Sequence, residues 1–158
     1  MHTHEPEAYD CPFCRLQRLV HDERNRPEDV VAVTGLAFAR ISPKWWSAND
    51  GAVLVVPRSH HENLYDLPAD VGHAVWDLTQ RVAVAMRTAY DCDGISTRQH
   101  NEPAGGQDVW HLHVHVFPRW DGDRLYEQHL TTRWPSPEER RPYADRLAAA
   151  LDLPRTFG

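Results

Sequence analysis

The chain has 158 residues, 41% hydrophobic and 25% charged, with a net charge of −6 when its 11 histidines are neutral. That is one-domain size with an ordinary globular balance, long enough to bury a core without disulfides. The acidic balance excludes a broad electrostatic footprint for nucleic acid, no apolar stretch approaches the ~20 residues of a membrane span, and three cysteines make no disulfide framework.

Residues 1–10 are polar, read as mobile, and lack the basic and apolar regions of a secretory signal, so the cytoplasm is the expected address. Cys11-Pro12-Phe13-Cys14 follows and leads into a short helical turn over Arg15–Val20. A redox pair needs a strand before it, for which ten polar residues leave no room. Half of a zinc site, given two further ligands elsewhere, and two thiols packed in a core both stay open. After a charged loop over 22–29, Val30–Val33 and Leu36–Ile41 read as two strands joined at Thr34-Gly35. Ser42–Gly51 reads as loop, in which Trp45 and Trp46 either line a pocket or cap the edge of the core. Ala52–Val56 is a continuous apolar run between Gly51 and Pro57, the pattern of a central buried strand. Arg58-Ser59-His60-His61 follows at its end, where site residues are often placed.

Pro68 to about Tyr90 is the long helix, with Val71, Val75, Leu78, Val82 and Met86 recurring at three- and four-residue steps. Pro68 suits its first turn and Asp91–Gly94 stops it; Trp76 and Met86 read as core and His73 as solvated. Ile95–Gln99 is a strand, and the paired glycines of the following His100–Gln107 loop let backbone N–H groups approach a ligand. Val109–Pro118 carries the strongest signal in the chain. Read as a strand, it puts His111, His113 and His115 on one face and Leu112, Val114 and Val116 on the other. Each imidazole can serve as nucleophile, proton carrier, phosphate donor or metal ligand near neutral pH. Trp120 and Trp134 lie in a later loop, and Ser136-Pro137-Glu138-Glu139 opens a helix to about Leu151. Strands, helix, strands, helix in this order give an α+β class with an antiparallel sheet, and no linker divides residues 1–158.

The run His111-Leu112-His113-Val114-His115-Val116-Phe117 resembles the signature of the histidine triad (HIT) family. Gly106-Gln107 before it, Pro118-Arg119 after it, Val53–Pro57 with Arg58-Ser59-His60, and the early cysteine pair are similar to the family's flanking segments, over about residues 11–121. The resemblance implies a HIT-like fold with a five-stranded antiparallel sheet, one long helix, a C-terminal helix at about 136–151, and a homodimer. It implies cleavage or transfer at the α-phosphate of a nucleoside phosphoramidate, a nucleotide conjugate or a dinucleoside polyphosphate, through a covalent nucleotidyl-histidine. His113 matches the nucleophile. His115 would hold a phosphate oxygen or share a proton with the leaving group, and Gln107 would bond the phosphoryl or leaving-group region. Backbone N–H groups around Gly106–Val109 would stabilise developing negative charge. Cys11, Cys14, His60 and His111 match a structural zinc set, with His61 the neighbouring alternative to His60. Two thiolates and two imidazoles make a closed tetrahedral set that suits zinc.

Three features depart from the family pattern, one of them the loop Pro43–Asp50 with Trp45 and Trp46, which is longer than usual. Arg40 stands where an acidic or amide residue often binds ribose hydroxyls, and Asp108 where Ser or Thr commonly follows the glutamine. Either His100 or Asn101 stands at the amide position before Gly106. With Gly106 and Val109 these complete the candidate substrate-binding set. Two alternatives accompany the hydrolase reading: a non-catalytic nucleotide-binding protein on the same fold, and a metalloenzyme with His111, His113 and His115 on one metal. The expected partners are a small-molecule nucleotide and a second copy of the chain, with no nucleic acid and no membrane.

Overall fold

Strand alternation decides which side of this molecule is core and which is site. In the computed structural model, which describes residues 3–127 and 131–158, the chain runs α1 (Pro12–Gln17), β1 (Val30–Val33), β2 (Ala37–Ile41), β3 (Trp45–Trp46), β4 (Val53–Pro57), α2 (Ala69–Tyr90), β5 (Gly94–Gln99), β6 (Val114–Arg119), β7 (Thr132–Arg133) and α3 (Pro137–Leu151). Five strands make one antiparallel sheet in the order β1-β2-β4-β6-β5, while β3 and β7 pair as a separate ribbon. The class is α+β, as the element order implies.

Period two sends Ala37, Ala39, Ile41, Val53, Val55, Val114 and Val116 to one face of the sheet, against Val75, Leu78, Val82 and Met86 of α2 and Ala144 and Leu147 of α3. Each large side chain buried there contributes roughly 1.5–3 kcal/mol. The opposite face carries Phe38, Leu54 and Val56, covered by Cys11, Phe13 and Leu16 from the start of the chain. Asp91, in the left-handed conformation at φ 54°, ends α2, and Ser136 with Glu139 forms a reciprocal capping box on α3. Among the described residues, no helix is long and apolar enough to cross a membrane.

Four local expectations are corrected. Trp76 is 61% exposed, because it sits about 100° round the helix from the Val75 stripe. The Ser42–Gly51 segment contains β3, and its tryptophans divide: Trp45 is buried edge-on against Tyr143, whereas Trp46 faces His115 and Phe117. Residues 3–10 are tied down rather than loose. Thr3 and the His4 backbone bond Glu62, Glu5 bonds His60, and the Tyr9 hydroxyl accepts from Trp110 N. The histidine strand begins only at Val114, since Pro57 O at the end of β4 takes the His111 ring instead of a ladder amide.

A buried charge cluster joins α3 to β2. Asp29 accepts from Arg140 Nε at 2.8 Å and Nη2 at 3.0 Å, and from Arg40 Nη2 at 3.1 Å. Other guanidinium N–H groups reach Asn25 and the carbonyls of Glu23, Arg24, Ile41 and Pro135. Two fully buried cations therefore share one carboxylate, and burial pushes Arg40 down to about 10. Asp29→Asn strips both of their counter-charge. A loss of about 3–5 kcal/mol is expected, read as a lower denaturant midpoint at unchanged m-value.

Candidate functional site

The site is built on the sheet face away from α2 and α3, where α1 packs over β2 and β4 and Phe13 meets the rings of His111 and His113. Alternation continues upstream of β6. Leu112 joins the helix-side core, and its N–H donates to His61 O at 2.7 Å, holding residues 111–113 against the His60–Glu62 loop. His111 and His113 are buried on the other side at 0% and 5% exposure, and His115 is half-buried.

Hydrogen bonds to carbonyls fix three tautomers, because a carbonyl oxygen only accepts. His113 Nδ1 donates to His111 O at 2.8 Å, so Nε2 carries the lone pair. His111 Nε2 donates to Pro57 O at 2.9 Å, which leaves its Nδ1 bare. His100 Nδ1 donates to Gly106 O at 3.0 Å. The His113 and His115 rings lie 5.0 Å apart, and His115 stacks on Phe117 at 5.5 Å and 6°. Burial holds both imidazoles below the ordinary histidine range, against which the Asp108 carboxylate acts on His113. Both rings are therefore neutral at neutral pH.

His113 and His115 open into a cavity of about 270 Å³ that Lys44, Trp46, His100, Gly106, Asp108 and Val109 also line. Gly106 has φ +91°, and a Cβ there would meet His100 Nδ1 at 3.0 Å, so the position requires glycine. Its N–H and that of Gln107 are spent on Pro103 O and Glu102 O, which removes two of the four amides expected to face a ligand. Gln107 does not line the cavity: its Nε2 donates to Glu62 O at 2.5 Å and Val109 O at 3.0 Å, and its Oε1 accepts from Glu102 N. Asn101 likewise braces the loop, accepting from Leu64 N and Gln99 Nε2, which leaves His100 as the one of the pair that reaches the cavity.

A second cavity of about 510 Å³ lies alongside, lined by Phe13, Arg24, Asn25, Arg40 and Leu54 among others. Trp134 lines both, with the Arg24 guanidinium 3.7 Å from its ring centroid. Neither Trp134 nor Lys44 was distinguishable in sequence, since each sits in a segment that reads as plain loop and reaches the site only through the β3–β7 ribbon.

The four expected metal ligands come together. Donor atoms of Cys11, Cys14, His60 and His111 all lie within 4.8 Å of one another. Cys11 Sγ is 3.3 Å and Cys14 Sγ 3.7 Å from His111 Nδ1, and Cys14 Sγ is 3.4 Å from His60 Nδ1. Tetrahedral zinc with ordinary Zn–S and Zn–N bonds separates such atoms by about 3.5 Å. The outer nitrogens are already engaged, His111 Nε2 by Pro57 O and His60 Nε2 by Glu5 at 2.6 Å. Such partners orient metal-bound histidines, and Glu5 lies in a stretch that reads as an untethered leader. His61 instead bonds Ser59 at 2.8 Å. His111 turns toward the thiols while His113 turns its Nδ1 to a carbonyl, so the three triad rings do not converge on one ion.

The HIT domain family model matches residues 23–122. A Bacillus subtilis relative named Protein hit is 32% identical over 113 residues, 72% of this chain and 73% of that protein. The Arabidopsis thaliana bifunctional bis(5'-adenosyl)-triphosphatase/adenylylsulfatase FHIT is 30% identical over 97 residues, 61% of this chain and 53% of that protein. A Zn-bound histidine triad family protein from Mycobacterium smegmatis superposes with a TM-score of 0.74 at 26% identity, covering 90% of this chain and 94% of the other. Trp134 lies beyond the matched segment. Its truncation to alanine opens the wall common to both cavities, and scanning calorimetry should show the melting temperature little changed, because the indole is half exposed.

Proposed function

The chain belongs to the histidine triad family, and from that premise we propose that it is a nucleotide hydrolase or transferase that breaks the bond from an α-phosphate to its leaving group through His113. The observation that carries this reading is the bond from His113 Nδ1 to His111 O. It fixes the proton on one ring nitrogen and leaves the Nε2 lone pair of a neutral imidazole in the cavity. The relative named for triphosphatase and adenylylsulfatase activity supports the substrate type.

The reaction has two half-steps. His113 Nε2 bonds to the α-phosphorus as the bond to the leaving group breaks, and the electron pair departs with that group. The imidazole becomes a nucleotidyl-imidazolium whose positive charge is eased by the His111 carbonyl. Water then attacks the phosphorus and gives up a proton to the departed group or solvent, the P–N bond breaks with its electron pair returning to Nε2, and the nucleoside monophosphate leaves with neutral His113 restored. His115, one step along the same face with its Nδ1 unpartnered, holds a phosphate oxygen or passes a proton to the leaving group. Gln107 serves by holding the 102–109 loop through three backbone groups, and His100 and Asp108 face the substrate. Arg40 acts beneath the neighbouring cavity, fixing the loop that lines it.

Cys11, Cys14, His60 and His111 fit zinc, and four protein ligands leave no open position, so the ion supplies shape rather than a reacting group. Burial pushes the free Cys11 thiol up to about 12, so its thiolate forms against a bound cation. The same reading carries a homodimer and a cytoplasmic setting.

His113→Ala is expected to lower kcat on the order of 10³-fold or more with the fold intact, and mass spectrometry of a quenched wild-type reaction should find the nucleotidyl adduct on residue 113. An adduct on another histidine overturns the assignment. Atomic absorption should find about one zinc per wild-type chain and almost none in Cys14→Ser. In that variant the melting temperature falls before the chemistry does, and a metal-free wild type sinks the zinc assignment.

A further inference from the structure

The β5–β6 register sets Arg98 directly opposite His115, and paired residues of adjacent strands share a face. The Arg98 guanidinium carbon lies 4.5 Å from the Phe117 ring centroid, 5.1 Å from Trp46 and 5.6 Å from Tyr126. Phe117 stacks on His115, and Trp46 lines the histidine cavity, so this aromatic box adjoins the site. Arg98 Nε is buried without a partner, and among the described residues Arg98 has no ion pair. Aromatic faces hold a cation in place without neutralising it.

Lys44 is a second such cation. It lines the histidine cavity, and among the described residues it has no carboxylate partner. By contrast, Arg119, the next cation along β6, is spent on Asp123 at 2.8 Å and Ser96 at 2.7 Å. Arg98 faces His115 across the β5–β6 pair, and Lys44 lines the same cavity as His115 and Asp108.

We propose that Arg98 and Lys44 form a leaving-group subsite for oxyanions beside His115, which makes the substrate a nucleotide whose departing group is a nucleoside di- or polyphosphate rather than an amine. This rests on the hydrolase reading above. As His113 bonds to the α-phosphorus, the bond to the bridging oxygen breaks and its electron pair stays on that oxygen. The departing phosphate gains one negative charge at the moment it adjoins two cations that need no reorganisation. Water then releases the nucleoside monophosphate from His113, and the proton it loses goes to the leaving group or solvent. An amine must instead take up a proton to leave, and two fixed cations oppose the ammonium so formed.

The test compares diadenosine triphosphate with adenosine 5'-phosphoramidate, which share a nucleoside and differ in the departing group. Arg98→Met with Lys44→Met is expected to lower the ratio of kcat/KM for the triphosphate over the phosphoramidate by about 100-fold, with roughly tenfold from each charge-assisted contact. Arg98→Lys, which keeps the charge, should recover part of it. An unchanged ratio overturns the proposal, as does an equal loss on both substrates. Lys44→Met alone, at the cavity wall, gives the same reading if loss of Arg98 disturbs the aromatic box. If the wild type turns over neither nucleotide, the hydrolase reading fails, and calorimetry with inorganic pyrophosphate decides the subsite separately. Wild type should bind pyrophosphate at least about tenfold more tightly than the double variant, and no binding by wild type overturns the subsite.

Discussion

One hydrogen bond, from His113 Nδ1 to the His111 carbonyl at 2.8 Å, decides what the histidine run can do. It converts an imidazole with two equivalent options into one with its lone pair aimed at the cavity. That bond is only as rigid as His111, whose own ring is held by Pro57 O on one side and faces Cys11 and Cys14 on the other. Glu5 extends the chain of support by fixing His60 from the opposite side of the thiols. The triad is thus a serial arrangement. The first histidine is committed to scaffold, and its backbone sets the tautomer of the second.

The sheet supplies the frame on which this works. Because β2, β4, β6 and β5 are in continuous antiparallel register, Arg40, Leu54, His115 and Arg98 form one row across it. All four sit on the face that α2 and α3 leave uncovered. Segments remote in sequence then wall in that face: α1 and Phe13 from the beginning of the chain, and Trp134 from beyond the family-matched residues. Asp29 fixes the second of these closures by bonding Arg140 of α3. The stability of the fold and the shape of the cavity therefore share one buried carboxylate.

What could be read from sequence follows from which interactions are periodic. The strands of an antiparallel sheet, the long helix and the capped C-terminal helix all rest on alternation, three- and four-residue steps, or local caps, and those were legible, while the sheet's five-stranded form came through the family resemblance. So was the gathering of Cys11, Cys14, His60 and His111, though only through the family resemblance. Trp76 was misread because a single large apolar residue beside a stripe resembles one within it. Gln107 shows a different limit: its type and spacing match a ligand contact, but the three backbone groups that claim its amide come from 45 residues upstream and from its own loop. Composition carries no sign of such a competition. Nor does it show that residues 3–10 would find Glu62, His60 and Trp110 to bond.

Arg40 illustrates why the sign of a substituted residue is a poor guide to the field it creates. In sequence it puts a cation at the position where the family resemblance implies a ribose-binding acid or amide. In the folded chain its guanidinium is 1% exposed and bonded to Asp29, Asn25, Arg24 O and Ile41 O, so most of its capacity is spent within the protein. Arg98, at the other end of the same row, reads from sequence as an ordinary strand residue, yet its guanidinium packs against the rings of Phe117, Trp46 and Tyr126 and, among the described residues, has no ion pair. Two arginines in register on one face thus have opposite consequences. The difference lies in whether a carboxylate or a π-face was packed against each, and that is settled by segments distant in sequence.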